Sequence, residues 1–260
     1  MNIYKEEKAP LFAGYFYYGG IFEMTNKTRF EERRVLRTIV GAGIFSALAY
    51  VIALMCEPIP AVAGFLSIDI KDAVIAIASF IYGPIVAPII SFIVAGVELV
   101  TIGSDTAWYG FIMNFASSAV FSTSASLIYR YRKNINSALI GFFVAIASTT
   151  GVMLLLNAFV TPIFVASRGI PFDVIPNLPI LFLPFNFAKT LLNSSVAMLL
   201  YKPITNAMRS AKLIPRGQHK ATFNKKSVVI LIVGGALLLL ALILFVYLFA
   251  FYDLVKERLL

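Results

Sequence analysis

The sequence has few of the residues that most enzymes use for chemistry. Its 260 residues include one cysteine, Cys56, and one histidine, His219. A lone cysteine cannot form an internal disulfide, and a lone histidine cannot build a histidine-based metal cluster. The phosphate-binding pattern G-x-x-x-x-G-K-[ST] is also missing. These absences argue against zinc, redox and serine-hydrolase chemistry, and against ATP hydrolysis by this chain.

Charge is scarce as well, because only 13% of the residues are charged and 60% are hydrophobic. Several apolar runs approach the ~20 residues that a helix needs to cross a bilayer. The sequence therefore predicts an all-α integral membrane protein. Its predicted spans are residues 35–56, 70–83, 85–103, 109–130, 137–161, 178–201 and 227–252. Gly83 and Pro84 separate the second span from the third, which predicts a tight helical hairpin.

The net charge of +9 follows a pattern along the chain. Lysine and arginine concentrate before the first span, after the fourth, and between the sixth and seventh. Basic loops mark the cytoplasmic side of a membrane protein. We therefore predict a protein of the cell membrane with a cytoplasmic N-terminus and an outside C-terminus. This topology explains the basic clusters without a nucleic-acid partner.

The domain organisation follows from the spans. We predict that residues 1–34 form a cytoplasmic N-terminal segment, 35–204 a six-helix membrane domain, 205–226 a basic cytoplasmic loop, 227–252 an accessory helix and 253–260 a short tail. Residues 1–23 are either a non-native leader preceding a start at Met24, or a cytoplasmic or interfacial tail. The sequence leaves both alternatives open.

Polar residues inside the spans identify the candidate site, because polar side chains in lipid are costly and tend to face a protein interior or water. On the predicted topology they converge on the outer half of the bundle, which indicates a pocket open to the outside. These residues are Glu57, Glu98, Asn114, Asn157, Asn186 and Lys189. Asn193, a turn further inward, either floors the pocket or ties two helices together.

Lys189 needs a partner in this setting, and we predict an ion pair with Glu57 across the bundle. Such a pair would leave little net charge in the pocket and would suit a neutral polyhydroxylated or heterocyclic ligand. The alternatives are structural: intramembrane asparagines often only join helices, and the Lys–Glu pair could serve stability alone.

A stripe of small residues on the first span predicts a partner contact. Ala42, Ser46, Ala49 and Ala53 recur on one helix face, where another helix could approach closely. Ordinary packing within the bundle is the alternative.

Six segments, in this order, resemble the substrate-binding S components of energy-coupling factor (ECF) vitamin transporters, most closely those for riboflavin. They are FLSIDIKDAV (65–74), FIYGPIVA (80–87), TAWYGFIMNF (106–115), VMLLLNAFVTPIF (152–164), LFLPFNFAKTLLNS (181–194) and LLYKPI (199–204). The resemblance covers about residues 35–212 and implies a six-helix S-component bundle. The seventh span is extra to that pattern, and we expect it to be an accessory anchor without a ligand role.

The resemblance also implies a function and partners. The chain would be no enzyme but a riboflavin-capturing subunit that works with a transmembrane T component and two cytoplasmic ATPases, without a cofactor of its own. Glu57, Asn157, Asn186 and Lys189 would bind the polar parts of the ligand, with residues 57–70 as a lid. The ring system would pack on apolar residues chosen from Phe65, Leu66, Phe111, Phe182 and Phe185.

Three alternative functions stay open at this point. The first is an S component for another vitamin or precursor, such as pantothenate, folate or a queuosine-type compound. The second is a stand-alone secondary transporter driven by an ion gradient. The third is a membrane scaffold that binds no ligand.

Overall fold

The computed structural model describes residues 12–62, 66–102, 107–132, 135–167, 178–211 and 225–259. Phe65 and the segment 212–224, which belongs to the predicted basic loop, lie outside these ranges. Within them the chain forms seven α-helices and no strand, which confirms the all-α prediction. The helices are α1 (Phe12–Cys56), α2 (Lys71–Tyr82), α3 (Val86–Thr101), α4 (Ala107–Arg132), α5 (Ile135–Ser167), α6 (Leu178–Ser210) and α7 (Lys225–Leu259).

The chain divides into two compact units, residues 1–40 and 41–260. In the first unit, residues 34–37 are exposed and the Thr38 hydroxyl donates to the carbonyl of Arg34. The second unit, residues 41–260, contains the candidate site.

The predicted hairpin between α2 and α3 is present. Gly83 has φ = +107°, a backbone conformation that residues other than glycine rarely adopt. Its N–H closes the end of α2 by donating to the Ser79 carbonyl at 2.8 Å. Pro84 follows at once, where it interrupts no helical hydrogen bond. Three residues thus suffice to reverse the chain.

Helix α2 lies at the centre of this unit and contacts α3, α4 and α6. Every residue from Lys71 to Ser79 is buried. Three of them, Ala73, Ala76 and Ala78, are small, which lets the surrounding helices approach closely. At 12 residues the helix is only about 18 Å long. Because α2 is buried on all sides, its neighbours must provide hydrogen-bond or ion-pair partners for its polar groups.

The outer surfaces suit a lipid environment. Large aliphatic side chains on α1, α3 and α7 are more than 40% exposed, among them Ile44, Ile89 and Ile243. Within the part of the chain that the structure describes, four helical segments are long and apolar enough to cross a membrane, namely Arg34–Cys56, Ala107–Tyr131, Asn136–Phe164 and Val228–Phe251. An exposed apolar surface of this extent is typical of a multi-pass membrane protein.

Helix α7 packs against α6. The rings of Phe185 and Phe245 meet edge to face with their centroids 6.1 Å apart. Near the other end, Gly234 lies so close to Leu199 that a Cβ there would be 3.3 Å from its side chain. The seventh helix thus has a defined neighbour in the bundle.

The small-residue stripe of α1 faces inward. Ser46, Ala49 and Ala53 are buried, and Ala42 is half-buried. The Ser46 hydroxyl donates to the Ala42 carbonyl within the same helix. Ordinary packing thus accounts for these residues in this conformation. The predicted partner contact stays a prediction and would require their exposure.

The approach of α4 to α5 generates a testable prediction. A Cβ on Gly141 would lie 2.6 Å from the Ala125 carbonyl oxygen, a backbone atom that cannot rotate away. Gly141→Ala should therefore lower the free energy of unfolding by about 1–3 kcal/mol, measured as a lower melting temperature in detergent. Gly151→Ala on the same helix is the control, because nothing lies within 4 Å of its new methyl group. Equal melting temperatures for the two variants would contradict this packing.

Candidate functional site

A cavity of about 770 Å³, counting the space at its opening, lies between α4, α5 and α6. Residues 66 and 67, from the connection between α1 and α2, close one side. The lining residues are Leu66, Ser67, Tyr109, Gly110, Met113, Asn114, Ser117, Met153, Asn157, Val160, Thr161, Phe164, Phe185, Asn186 and Lys189.

Helical periodicity brings these residues together. On α4 the lining positions 110, 113, 114 and 117 repeat at three and four residues, and positions 153, 157, 160, 161 and 164 of α5 do the same. Such spacing keeps side chains on one helix face. Between residues 109 and 117 the face extends about 12 Å along α4. The cavity therefore occupies one end of the bundle, where α4 and α6 begin and α5 ends.

Three predicted asparagines, Asn114, Asn157 and Asn186, all line this cavity. Asn157 donates to the Met153 carbonyl at 2.7 Å and accepts from the Thr161 hydroxyl at 2.9 Å. Asn186 donates to the Phe182 carbonyl at 2.8 Å. These bonds within a single helix orient the amides of Asn157 and Asn186 and leave hydrogen-bonding capacity for a ligand.

The predicted partner of Lys189 is wrong. The Lys189 ammonium donates to Asp69 Oδ2 at 2.7 Å and to the Ser67 carbonyl at 3.3 Å. Glu57 is exposed just after α1 and does not line the cavity. Asp69 is the better-placed carboxylate, because it ends the connection that returns into the bundle whereas Glu57 begins it. A ligand-binding role for Glu57 stays a prediction.

Asn193 ties two parts of the chain together. Its amide nitrogen donates to the Asp69 carbonyl at 2.9 Å, and its oxygen accepts from the Ala73 N–H at 2.9 Å. Ala73 lies in the first turn of α2, where backbone N–H groups have no partner within the helix. A side chain of α6 thus caps α2 from across the bundle. Of the two alternatives for Asn193, helix joining describes its contacts.

A second buried ion pair lies beside the first. Lys71 donates to both oxygens of Glu98, at 2.7 and 2.6 Å, and its nitrogen is 3.7 Å from Asp69 Oδ2. Glu98 also accepts from Asn114 at 3.1 Å, which links this pair to the cavity wall. Asp72 accepts from the Ser118 hydroxyl. Asp69, Lys71 and Asp72 are all buried.

Charges in this layer nearly cancel. Two carboxylates, on Asp69 and Glu98, pair with two ammonium groups, on Lys71 and Lys189. The third buried carboxylate, on Asp72, contacts Ser118 instead. Burial by itself would raise the pKa of the Asp69 carboxyl, but the ammonium groups of Lys189 and Lys71 hold that pKa below its ordinary value. Asp69 is therefore charged at neutral pH, and the Lys189 charge is compensated within the protein.

The apolar part of the lining was predicted only partly. Leu66 and Phe185 line the cavity, whereas Phe111 packs with Phe92 and Trp108 and is not part of the wall. Phe182 is buried but also outside the lining, and Phe65 is not among the described residues.

Sequence reasoning missed several wall residues. Tyr109 and Phe164 form an edge-to-face pair with ring centroids 5.4 Å apart, and Met113, Met153 and Thr161 complete that side. Helical spacing from Asn157 could have identified Met153, Thr161 and Phe164, because residues four and seven positions away share its helix face. Tyr109 and Met113 lie five positions and one position from Asn114, so this rule does not identify them.

These features define a class of protein: a helical membrane protein with a cavity, lined by both polar and apolar side chains, at one end of its bundle. The model of the family "ECF transporter, substrate-specific component" matches residues 37–204. The chain belongs to this family of substrate-binding transport components.

Individual relatives agree with this assignment. The chain is 28% identical over 188 residues to the riboflavin transporter RibU of Staphylococcus aureus, which covers 70% of this chain and 96% of that protein. It is 24% identical over 187 residues to the riboflavin transporter FmnP of Bacillus subtilis, covering 68% and 98%. A solved S component of a bacterial ECF transporter matches with a TM-score of 0.55 and 25% identity, covering 66% of this chain and 97% of the solved one.

The Asn193 bridge gives a second prediction. Asn193→Ala should lower the free energy of unfolding by roughly 2–4 kcal/mol, because it leaves the Ala73 N–H and the Asp69 carbonyl buried without partners. Ser194→Ala is the matched control, since Ser194 is equally buried but donates only to Thr190 in its own helix. Thermal unfolding in detergent measures both variants. A stability loss no greater for Asn193→Ala than for Ser194→Ala would exclude the bridging role.

Proposed function

We propose that this protein captures riboflavin from outside the cell in the cavity between α4, α5 and α6. The single observation that carries the substrate assignment is the similarity to two riboflavin transporters over nearly their whole length. The cavity supports it independently, because its wall combines amides and an ammonium with aromatic and thioether side chains. Riboflavin needs both kinds of surface, since it joins a flat fused ring to a polyhydroxylated chain.

The polar wall accounts for binding of the hydroxylated chain. Asn157 and Asn186 present amide groups that are oriented but not exhausted by bonds within their helices. Asn114 and Lys189 add further donors. Apolar and aromatic residues take the ring, with Leu66, Tyr109, Phe164 and Phe185 as candidates. Each buried hydroxyl that finds a partner avoids the cost of desolvation.

Transport also requires energy and an orientation. Membership of the ECF family supports assembly with a T component and two cytoplasmic ATPases. The sequence lacks the phosphate-binding pattern G-x-x-x-x-G-K-[ST], which also favours an energy source on a separate subunit. The basic segments near residue 30 and between α6 and α7 support a cytoplasmic N-terminus and an outside C-terminus. In that orientation the cavity end of the bundle faces outward.

Riboflavin titration is the direct test of this function. Purified protein in detergent should quench riboflavin fluorescence with a saturable, one-to-one isotherm at nanomolar to micromolar concentrations. Competition with pantothenate and folate is the control and should leave the signal unchanged. A folded protein that leaves riboflavin fluorescence unaltered would refute the riboflavin assignment and leave the family assignment intact.

Asn186 provides the test of the cavity as the binding site. Asn186→Ala should weaken riboflavin binding by about 1–3 kcal/mol, roughly 5- to 150-fold, because a ligand group would lose its partner. Stability should change little, since the Asn186 amide donates only within its own helix. Ser195→Ala is the control on the same helix, buried but outside the lining. Unaltered affinity in Asn186→Ala would argue that riboflavin binds elsewhere.

A further inference from the structure

We infer that Asp69 is a positioning residue of the ligand site, which compensates the Lys189 charge and thereby favours uncharged over phosphorylated ligands. The inference rests on the proposed function, because it assumes that a flavin occupies the cavity. Asp69 does not line the cavity. It acts through Lys189, which does.

The contacts of Lys189 define what a ligand meets. An ammonium group has three N–H donors, and among the described residues two of them are directed to Asp69 Oδ2 and the Ser67 carbonyl. The third donor has no partner among the described residues, and Lys189 lines the cavity. A ligand therefore meets one oriented N–H whose charge is already balanced by a carboxylate 2.7 Å behind it.

The position of Asp69 is itself determined by its neighbours. The Asn193 side-chain amide donates to the Asp69 backbone carbonyl at 2.9 Å. The Lys71 ammonium lies 3.7 Å from Asp69 Oδ2, the same oxygen that Lys189 contacts. Oδ1 is buried without a hydrogen-bond partner in the described structure. Attraction to two ammonium groups thus sets the carboxylate in place, and its charge acts at short range in a poorly hydrated region where it is weakly screened.

This arrangement has a consequence for ligand choice. Two lysines lie at or beside the cavity, yet each is paired with a carboxylate. A phosphate group entering the cavity would lose its hydration and, among the described residues, find no uncompensated cation in exchange. Riboflavin, which is neutral, has no such cost. Removal of the Asp69 charge should therefore improve binding of riboflavin 5′-phosphate relative to riboflavin.

The test measures dissociation constants for riboflavin and riboflavin 5′-phosphate by fluorescence quenching of the full-length protein. Asp69→Asn should shift the ratio of the two constants by about tenfold or more in favour of the phosphate. A purely structural role of Asp69 would alter stability, or both affinities together, and leave the ratio unchanged. An unchanged ratio in Asp69→Asn therefore overturns the inference.

Asp72→Asn is the matched control. Asp72 is a buried carboxylate three residues further on, but its described side-chain contact is with Ser118 and not with Lys189. In Asp72→Asn the ratio of the riboflavin and riboflavin 5′-phosphate dissociation constants should shift by less than about threefold from that of the unmodified protein. A shift as large as that of Asp69→Asn would mean that any nearby negative charge suffices, and would overturn a specific role for Asp69.

A second comparison keeps the inference falsifiable if Asp69→Asn alone fails to fold. Lys189→Gln leaves the Asp69 carboxylate with Lys71 as its only described ion-pair partner, whereas Lys189→Gln with Asp69→Asn removes both charges. Adding Asp69→Asn in this background should shift the ratio by less than about threefold, because the ammonium group through which Asp69 acts is gone. A shift of about tenfold would mean that Asp69 acts on the phosphate without Lys189, and would overturn the inference. An unmodified protein that binds neither flavin overturns the proposed function as well, which distinguishes that failure from an unchanged ratio.

Discussion

The contact between residues 69–73 and α6 is the constraint on which the rest of this structure depends. Lys189 and Asn193 bind this segment through a carboxylate, a backbone carbonyl and a backbone N–H. A charge buried in an apolar bundle is tolerated only when it is paired, so neither Lys189 nor Asp69 could keep its place without the other or a substitute. The polar groups are buried in a single layer, and the pairing requirement therefore specifies where α2 begins.

The position of α2 in turn determines the cavity. This helix is buried through most of its length, and the residues just before it, Leu66 and Ser67, form one side of the cavity. Lys189 lines the cavity and also binds Ser67, in the connection between α1 and α2. One side chain therefore links the cavity wall to this connection. Stability and ligand recognition thus use the same atoms. A substitution at Lys189 alone would disturb both properties.

Local patterns predicted the helices and much of the cavity, but not the ion pairs. Apolar runs located the helices, and Gly83 with Pro84 located the hairpin. Helical spacing and burial cost brought Asn186 and Lys189 to one site, because these arguments involve only neighbouring residues and a bilayer. The partner of Lys189 lies 120 residues away, and no spacing rule distinguishes Asp69 from Glu57. Only the path of the connection between α1 and α2 does so.

The seventh helix shows why a ligand site cannot be separated from its supporting layer. The family match ends at residue 204, before α7 begins. Yet positions 181, 185, 188 and 192 of α6 form a stripe at helical spacing and share a buried cluster with Ala241, Phe245 and Leu248 of α7. Phe185 belongs to both this stripe and the cavity wall. Because close-packed interiors transmit small displacements, α7 supports the cavity from behind and is more than an anchor attached to a complete bundle.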